Sequence, residues 1–167
     1  MRDATLGRTS MYTPADRIQF ETMLLARHLP RARRGADGLD HSAFVVLSRL
    51  AVQGPMSVGE LTEAFGLDTS TLSRQTTAML GSGLVQRIPD PDGGIARKFR
   101  LTEEGLSRLQ DERALRVLGI EGALADWSEE DRTLFADLLK RFNIDVERRT
   151  GRVWPRPSAA RRVDEAG

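Results

Sequence analysis

Cysteine is absent from this 167-residue chain. That excludes disulfides, thiolate redox sensing and Cys-based zinc sites. Apolar runs are short, and none approaches the ~20 residues needed to cross a bilayer. The opening residues, MRDATLGRTSMYT, lack the apolar centre of a secretory signal. A cytoplasmic protein with no membrane partner is expected. Histidine is scarce too. His28 and His41 are the only two, and their spacing to Glu21 or Asp40 suggests no metal site. Net charge is also nearly missing, at +1, so any attraction to nucleic acid must be local. No nucleophile–base pair, phosphate loop or paired-carboxylate motif stands out. Glu129-Glu130-Asp131 is explained by helix capping and dipole complementation. No catalytic residue, metal or cofactor is therefore assigned, and an enzyme is not expected.

What is present centres on Ser57 to Gly83, SVGELTEAFGLDTSTLSRQTTAMLGSG. Ser57 and Glu60 form a capping-box pair, Leu61 and Phe65 repeat at helical spacing, and Gly66 suits a left-handed exit. Asp68 can cap a second helix. On that helix Leu72, Thr76 and Met79 share one side, with Leu80 at its border. Ser70, Arg74, Thr77 and Gly81 point the other way, flanked by Thr71 and Ser73. Short hydroxyls around one guanidinium let a helix approach a groove closely, and Arg can bond a guanine edge with two hydrogen bonds. An idle surface helix more often mixes Glu and Lys there, although Ser/Thr faces occur on idle helices as well. The reading is a helix-turn-helix whose second helix enters the major groove.

The remainder of the chain fits around this unit. Residues 1–12 read as disordered. Thr13-Pro14-Ala15-Asp16 starts a helix carrying Ile18, Phe20, Met23, Leu24 and Leu25, which Pro30 ends or kinks. So apolar a helix needs cover, from its own chain or from a second copy. Asp40 caps the next helix, with Phe44, Leu47, Leu50 and Ala51 on one face, and Gln53-Gly54-Pro55 stops it. Leu84–Ile88 and Ala96–Leu101 read as strands around the turn-rich Pro89–Gly94. Strict alternation places Phe99 and Leu101 on one side, with Lys98 and Arg100 on the other. A hairpin after a recognition helix is a wing, used against phosphates or the minor groove. Thr102-Glu103-Glu104 begins a long helix that Gly119 and Gly122 could bend or end. Ser128 caps the last one, where Leu134, Phe135, Leu138, Leu139, Phe142 and Val146 form one stripe expected to be buried. Residues 150–167, rich in Arg, Pro and Ala, read as disordered.

In this order the parts resemble the MarR family of bacterial transcription regulators. The matching text is Gly54–Leu61, Leu67–Arg74, Gly83-Leu84-Val85, Pro89-Asp90-Pro91, Arg100–Gly105 and Trp127–Glu130. It covers about residues 14–149 and is specific as an ensemble. The fold class it implies is mainly α with a small β wing, a winged helix-turn-helix lobe plus a helical dimerisation domain. Residues 13–36 and 102–149 would supply the dimerisation helices and residues 40–101 the lobe. The family forms a triangular homodimer that reads a pseudo-palindromic operator on double-stranded DNA, one half-site per subunit. On matching positions, Ser70, Thr71 and Arg74 would touch DNA. With their neighbours on the same face and wing they give the candidate set Thr69, Ser70, Thr71, Ser73, Arg74, Thr77, Arg97 and Lys98. The family also takes small, often aromatic effectors between dimer helices and lobe, which shift the lobe spacing. Phe20, Leu24, His28, His41 and Phe44 are the candidates to line that cleft, with core packing the competing role for the aromatics.

Two departures from the family pattern stand out. Its wing usually carries Asp-x-Arg, whose Arg enters the minor groove. Here that place falls on Gly94 or Ile95, with Arg97 the nearest substitute. Gln75 and Thr76 stand where aliphatics are usual, which predicts softer packing. Residues 40–101 also hold six basic and six acidic side chains. The blunt wing and this balance motivate a second reading, a winged-helix module that binds another protein and not DNA.

Overall fold

The computed structural model describes residues 13–28 and 38–156, in two bodies, one holding the N-terminal helix and the other everything from residue 38 onwards. The expected disorder of residues 1–12 and the helix end at Pro30 lie outside the described residues. In the first body α1 spans Pro14–His28. Thr13 Oγ1 accepts from the Asp16 amide at 3.2 Å, and the Asp16 carboxylate accepts from the Thr13 amide at 3.1 Å, so the start is capped in both directions. No residue of α1 is buried. Ile18, Phe20 and Met23 stay about half exposed.

The second body runs α2 (His41–Gln53), α3 (Val58–Phe65), α4 (Thr69–Gly81), β1 (Val85–Ile88), β2 (Lys98–Leu101), α5 (Glu103–Ala123) and α6 (Glu129–Thr150). Each start has its local cause. Asp40, Ser57, Asp68, Thr102 and Ser128 all sit in extended backbone and accept from an amide three residues on. At α3 the box is reciprocal, with the Ser57 amide donating to Glu60 Oε2 at 2.6 Å. Gly66 then leaves α3 in the left-handed conformation, φ +63°.

The core gathers one face of each short helix: Val46, Leu47 and Leu50 of α2, Leu61 of α3, Leu72 and Met79 of α4. The hairpin closes over it with Val85 and Phe99, and α5 adds Leu109. Strands β1 and β2 pair antiparallel, Val85 opposite Leu101 and Ile88 opposite Lys98. On its other edge Phe99 exchanges both backbone bonds with Met56, at 2.7 and 3.1 Å. That bridge stitches the entry of α3 to the sheet. The first turn of α5 presses against the strand entry. Thr102 Oγ1 donates to the Gly83 carbonyl at 2.6 Å, and a Cβ on Gly105 would overlap the Leu84 carbonyl oxygen.

Two expectations need correcting. The stripe on α6 is not buried within the second body, because none of its described residues lies over it. α6 has no buried residue, and Leu134, Leu138 and Phe142 are about half exposed. The outer half of α5 is similar, with Leu115, Leu118 and Ile120 open, and that helix runs past Gly119 and Gly122 as far as Ala123. Second, the disorder expected from residue 150 does not begin there. Gly151 ends α6 in the left-handed conformation, and residues 152–156 are held by side-chain contacts, because Trp154 has aromatic and cationic partners on α2 and α3.

Candidate nucleic-acid interface

Asp68 organises the start of α4. Its carboxylate accepts from the Thr71 amide at 2.8 Å, from Thr71 Oγ1 at 2.7 Å and from Ser70 Oγ at 2.5 Å. Those hydroxyls, Ser70 first, and the amide hold the carboxyl far below the usual carboxylate range. A depressed folded pKa means the cap is at full strength above about pH 4 and weakens only on further acidification. Ser70 and Thr71 have committed their protons to Asp68, so what their hydroxyls offer a ligand is acceptor oxygens.

The inner face of α4 is settled by Leu72, Thr76 and Met79, all buried. Thr76 does not soften the packing in the way a stray hydroxyl would, because its Oγ1 donates back to the Leu72 carbonyl at 2.8 Å. With that face inward, Thr69, Ser70, Arg74 and Thr77 are exposed, while Thr71 and Ser73 are half-buried at its margins. Arg74 donates to no other described residue. A guanidinium standing outward among hydroxyls, with no carboxylate to occupy it, keeps all five donors for a ligand.

The wing is the part that the strand pattern misread. Asp90-Pro91-Asp92-Gly93 forms a β-turn, the Gly93 amide donating to the Asp90 carbonyl at 3.1 Å and the Asp92 amide to Asp90 Oδ1 at 3.0 Å. Lys98, a DNA candidate on the wing, is covered and not solvent-facing, its side chain only 10% exposed. Its ammonium lies 3.1 Å from Asp90, 3.4 Å from Asp92 and 3.4 Å from Glu60. Asp90 raises the Lys98 pKa, with Glu60 adding to it, so the ammonium holds its proton more firmly than an isolated lysine. Lys98 is therefore a clamp between the wing and the start of α3, not a phosphate contact. Glu60, Asp90 and Asp92 are the residues missed. The local signals were an Asp-Pro-Asp-Gly turn and a capping glutamate, and only the fold shows that they share one cation. Arg97 precedes β2 and is exposed, and Ile95 stands fully out at the tip.

This arrangement makes a testable demand. Lys98→Met leaves three carboxylates unneutralised beneath the wing, so residues 89–97 exchange their amides faster while α4 stays protected. Duplex affinity falls because the added negative charge faces phosphates. Hydrogen exchange read by mass spectrometry, beside a duplex titration, checks both halves.

The effector candidates are divided between the two bodies. Phe20, Leu24 and His28 lie on α1, whereas His41 and Phe44 lie on α2. Phe44 carries a neighbour that sequence reasoning missed. The Arg116 guanidinium sits 3.8 Å from the ring centroid, steered by Glu112 at 2.8 Å, with its Nη2 buried and unbonded. A separate cleft of about 500 Å³ opens between the start of α2 and α4, lined by Asp40, Ser42, Thr71, Arg74, Gln75 and Met79. None of the five effector candidates lines it.

Comparison with known proteins agrees with this geometry. The MarR family model matches residues 39–93. A helix-turn-helix-type transcriptional regulator of Bacillus subtilis, YxaD, is 33% identical over 133 residues, covering 78% of this chain and 93% of its own length. The chain belongs to the MarR family. A MarR family protein from Bacillus stearothermophilus superposes with TM-score 0.67 at 24% identity, over 81% of this chain and 98% of its own. Wild-type MarR of E. coli, in its apo form, gives 0.63 at 18% identity, over 78% and 97%. These two likenesses carry the fold: six helices and a two-stranded wing in the MarR arrangement. The chain is a DNA-binding transcriptional regulator of this family. None of the helices among the described residues is long and apolar enough to cross a membrane.

Proposed function

We propose that the chain is a homodimeric repressor that reads a pseudo-palindromic operator, one half-site per subunit, and is released by a small aromatic effector. The observation that supports it most is the outward face of α4, where unpaired Arg74 stands among Thr69, Ser70, Ser73 and Thr77. Arg74 would read a guanine, the hydroxyls would set close approach, and Arg97 would meet a phosphate. Dimerisation through residues 13–36 and 102–149 would cover the open stripes of α1, α5 and α6, each too apolar to be left in water. The effector part draws on Phe44, whose ring already carries a buried cation with one unused donor. Such a pairing suits a planar ligand with a carboxylate or phenolate. His41 on the same helix, and Phe20, Leu24 and His28 on α1, are the other effector candidates.

Selection of bound duplexes from a random pool tests this. Inverted repeats should be enriched, centred about one helical turn apart, with affinity falling steeply as salt rises. A pool with no repeat, weak salt dependence and a stable complex with another protein would favour the interaction-module reading.

A further inference from the structure

The segment after α6 binds the reading lobe and α6 at once. Gly151, at φ +69°, turns the chain out of the helix. The Arg152 guanidinium then lies against Gly66, at the carbonyl end of α3 where a cation is favoured. The Val153 carbonyl accepts from Arg49 Nη1 of α2 at 3.1 Å. The Trp154 ring lies 4.9 Å from the Arg49 guanidinium and meets the Phe65 ring edge to face, centroids 5.5 Å apart. The same residues close back onto α6. The Trp154 amide donates to Glu147 Oε2 at 3.2 Å, and Arg156 forks both Glu147 oxygens at 2.8 and 2.9 Å. Arg156 holds the Glu147 carboxyl below its usual pKa.

We propose that residues 152–156 are a latch that fixes the winged lobe to α6 and so sets the half-site spacing the dimer accepts. The proposal rests on the dimeric reading given above. α6 makes no extended packing with any other helix or strand of residues 38–156, so this segment is its principal tie to α2 and α3. α3 packs on α4, so whatever holds α3 also places the recognition helix. If α6 lies in the dimer interface, the angle between α6 and the lobe determines the separation of the two α4 helices. Arg49 explains why the tie is firm. It is 7% exposed, and besides Gln53 Oε1 at 2.8 Å its guanidinium is met by the latch and by the charge of Glu147. Opening the latch strands a buried cation.

Two readouts test it, one without DNA. The chain has no cysteine, so Glu63→Cys on the exposed side of α3 takes a single spin label per subunit. Pulsed electron resonance of the dimer should give one narrow distance in the otherwise natural chain, and a broad distribution in Trp154→Ala. Trp154→Phe, which keeps an aromatic ring against Arg49 and Phe65, should restore the narrow one. Arg156→Gln, an exposed change, should broaden it without disturbing the lobe core. In the second readout, paired half-sites are offered with spacers varied base by base. The natural chain should show a single maximum, and the Trp154→Ala and Arg156→Gln chains should lose it while their dimer mass is retained. An unchanged distance distribution and an unchanged spacer profile in both variants would overturn the latch and leave the regulator reading standing. If the natural chain shows no inter-subunit distance and no paired-site binding, both readings fall.

Discussion

Arg74→Ala weakens operator binding by about 1–3 kcal/mol at each half-site, and a homodimer loses that contribution twice. The combined loss is roughly thirtyfold at the low end and four orders of magnitude at the high end, provided the half-sites are far enough apart to add. The fold should be indifferent to the change. Arg74 is exposed and bonds no other described residue, whereas the packing of α4 depends on Leu72, Thr76 and Met79 behind it. Thermal unfolding should therefore coincide with that of the natural chain while duplex affinity collapses. Specificity carries the finer signature. Preference should relax at one base pair of each half-site and persist at the others, because Ser70, Thr71 and the wing are untouched. Duplex titrations against the selected operator and its single-base variants check both points. Equal affinity for the natural chain and the Arg74→Ala variant would sink the assignment of α4 as the reading element.

Much of this lobe could be read from residue order, and the reason is physical. Every helix start from α2 onward is fixed by a side chain that bonds an amide three residues away, as at Ser57 with Glu60 or Asp68 with Thr71. Such contacts are local, so spacing reveals them. The outward face of α4 follows in turn, because Leu72, Thr76 and Met79 leave only one side for Arg74. What escaped was decided by residues remote in sequence. Lys98 looks solvent-facing by alternation, yet Glu60 approaches from α3, 38 positions earlier, and with Asp90 and Asp92 draws the ammonium inward. Met56 becomes a sheet partner of Phe99 across a similar separation. Trp154 sits in a stretch whose Arg and Pro content suggests disorder. A lone indole in such a stretch was the available clue, and its partners Arg49 and Phe65 lie 105 and 89 residues upstream.

The second large effect concerns the stripe on α6. Leu138→Glu should convert the dimer to a monomer, seen by light scattering, because a carboxylate placed in a closing apolar interface loses its water without gaining a partner. Within one chain the substitution is benign. Leu138 is half exposed and belongs to no core cluster, so circular dichroism and the melting of the lobe should change little. Operator binding, in contrast, should fall by about two to four orders of magnitude, since a monomer holds a single half-site and forfeits the effective concentration that links the second. Two controls separate this from a local defect. Lys140→Glu on the same helix, outside the apolar stripe, should leave the dimer intact. An isolated half-site should bind the Leu138→Glu chain as well as it binds the natural one, because α4 and its Arg74 are unaltered. If the Leu138→Glu protein stays dimeric with full operator affinity, α6 is not what joins the subunits, and the open stripes on α1 and α5 must find their cover elsewhere.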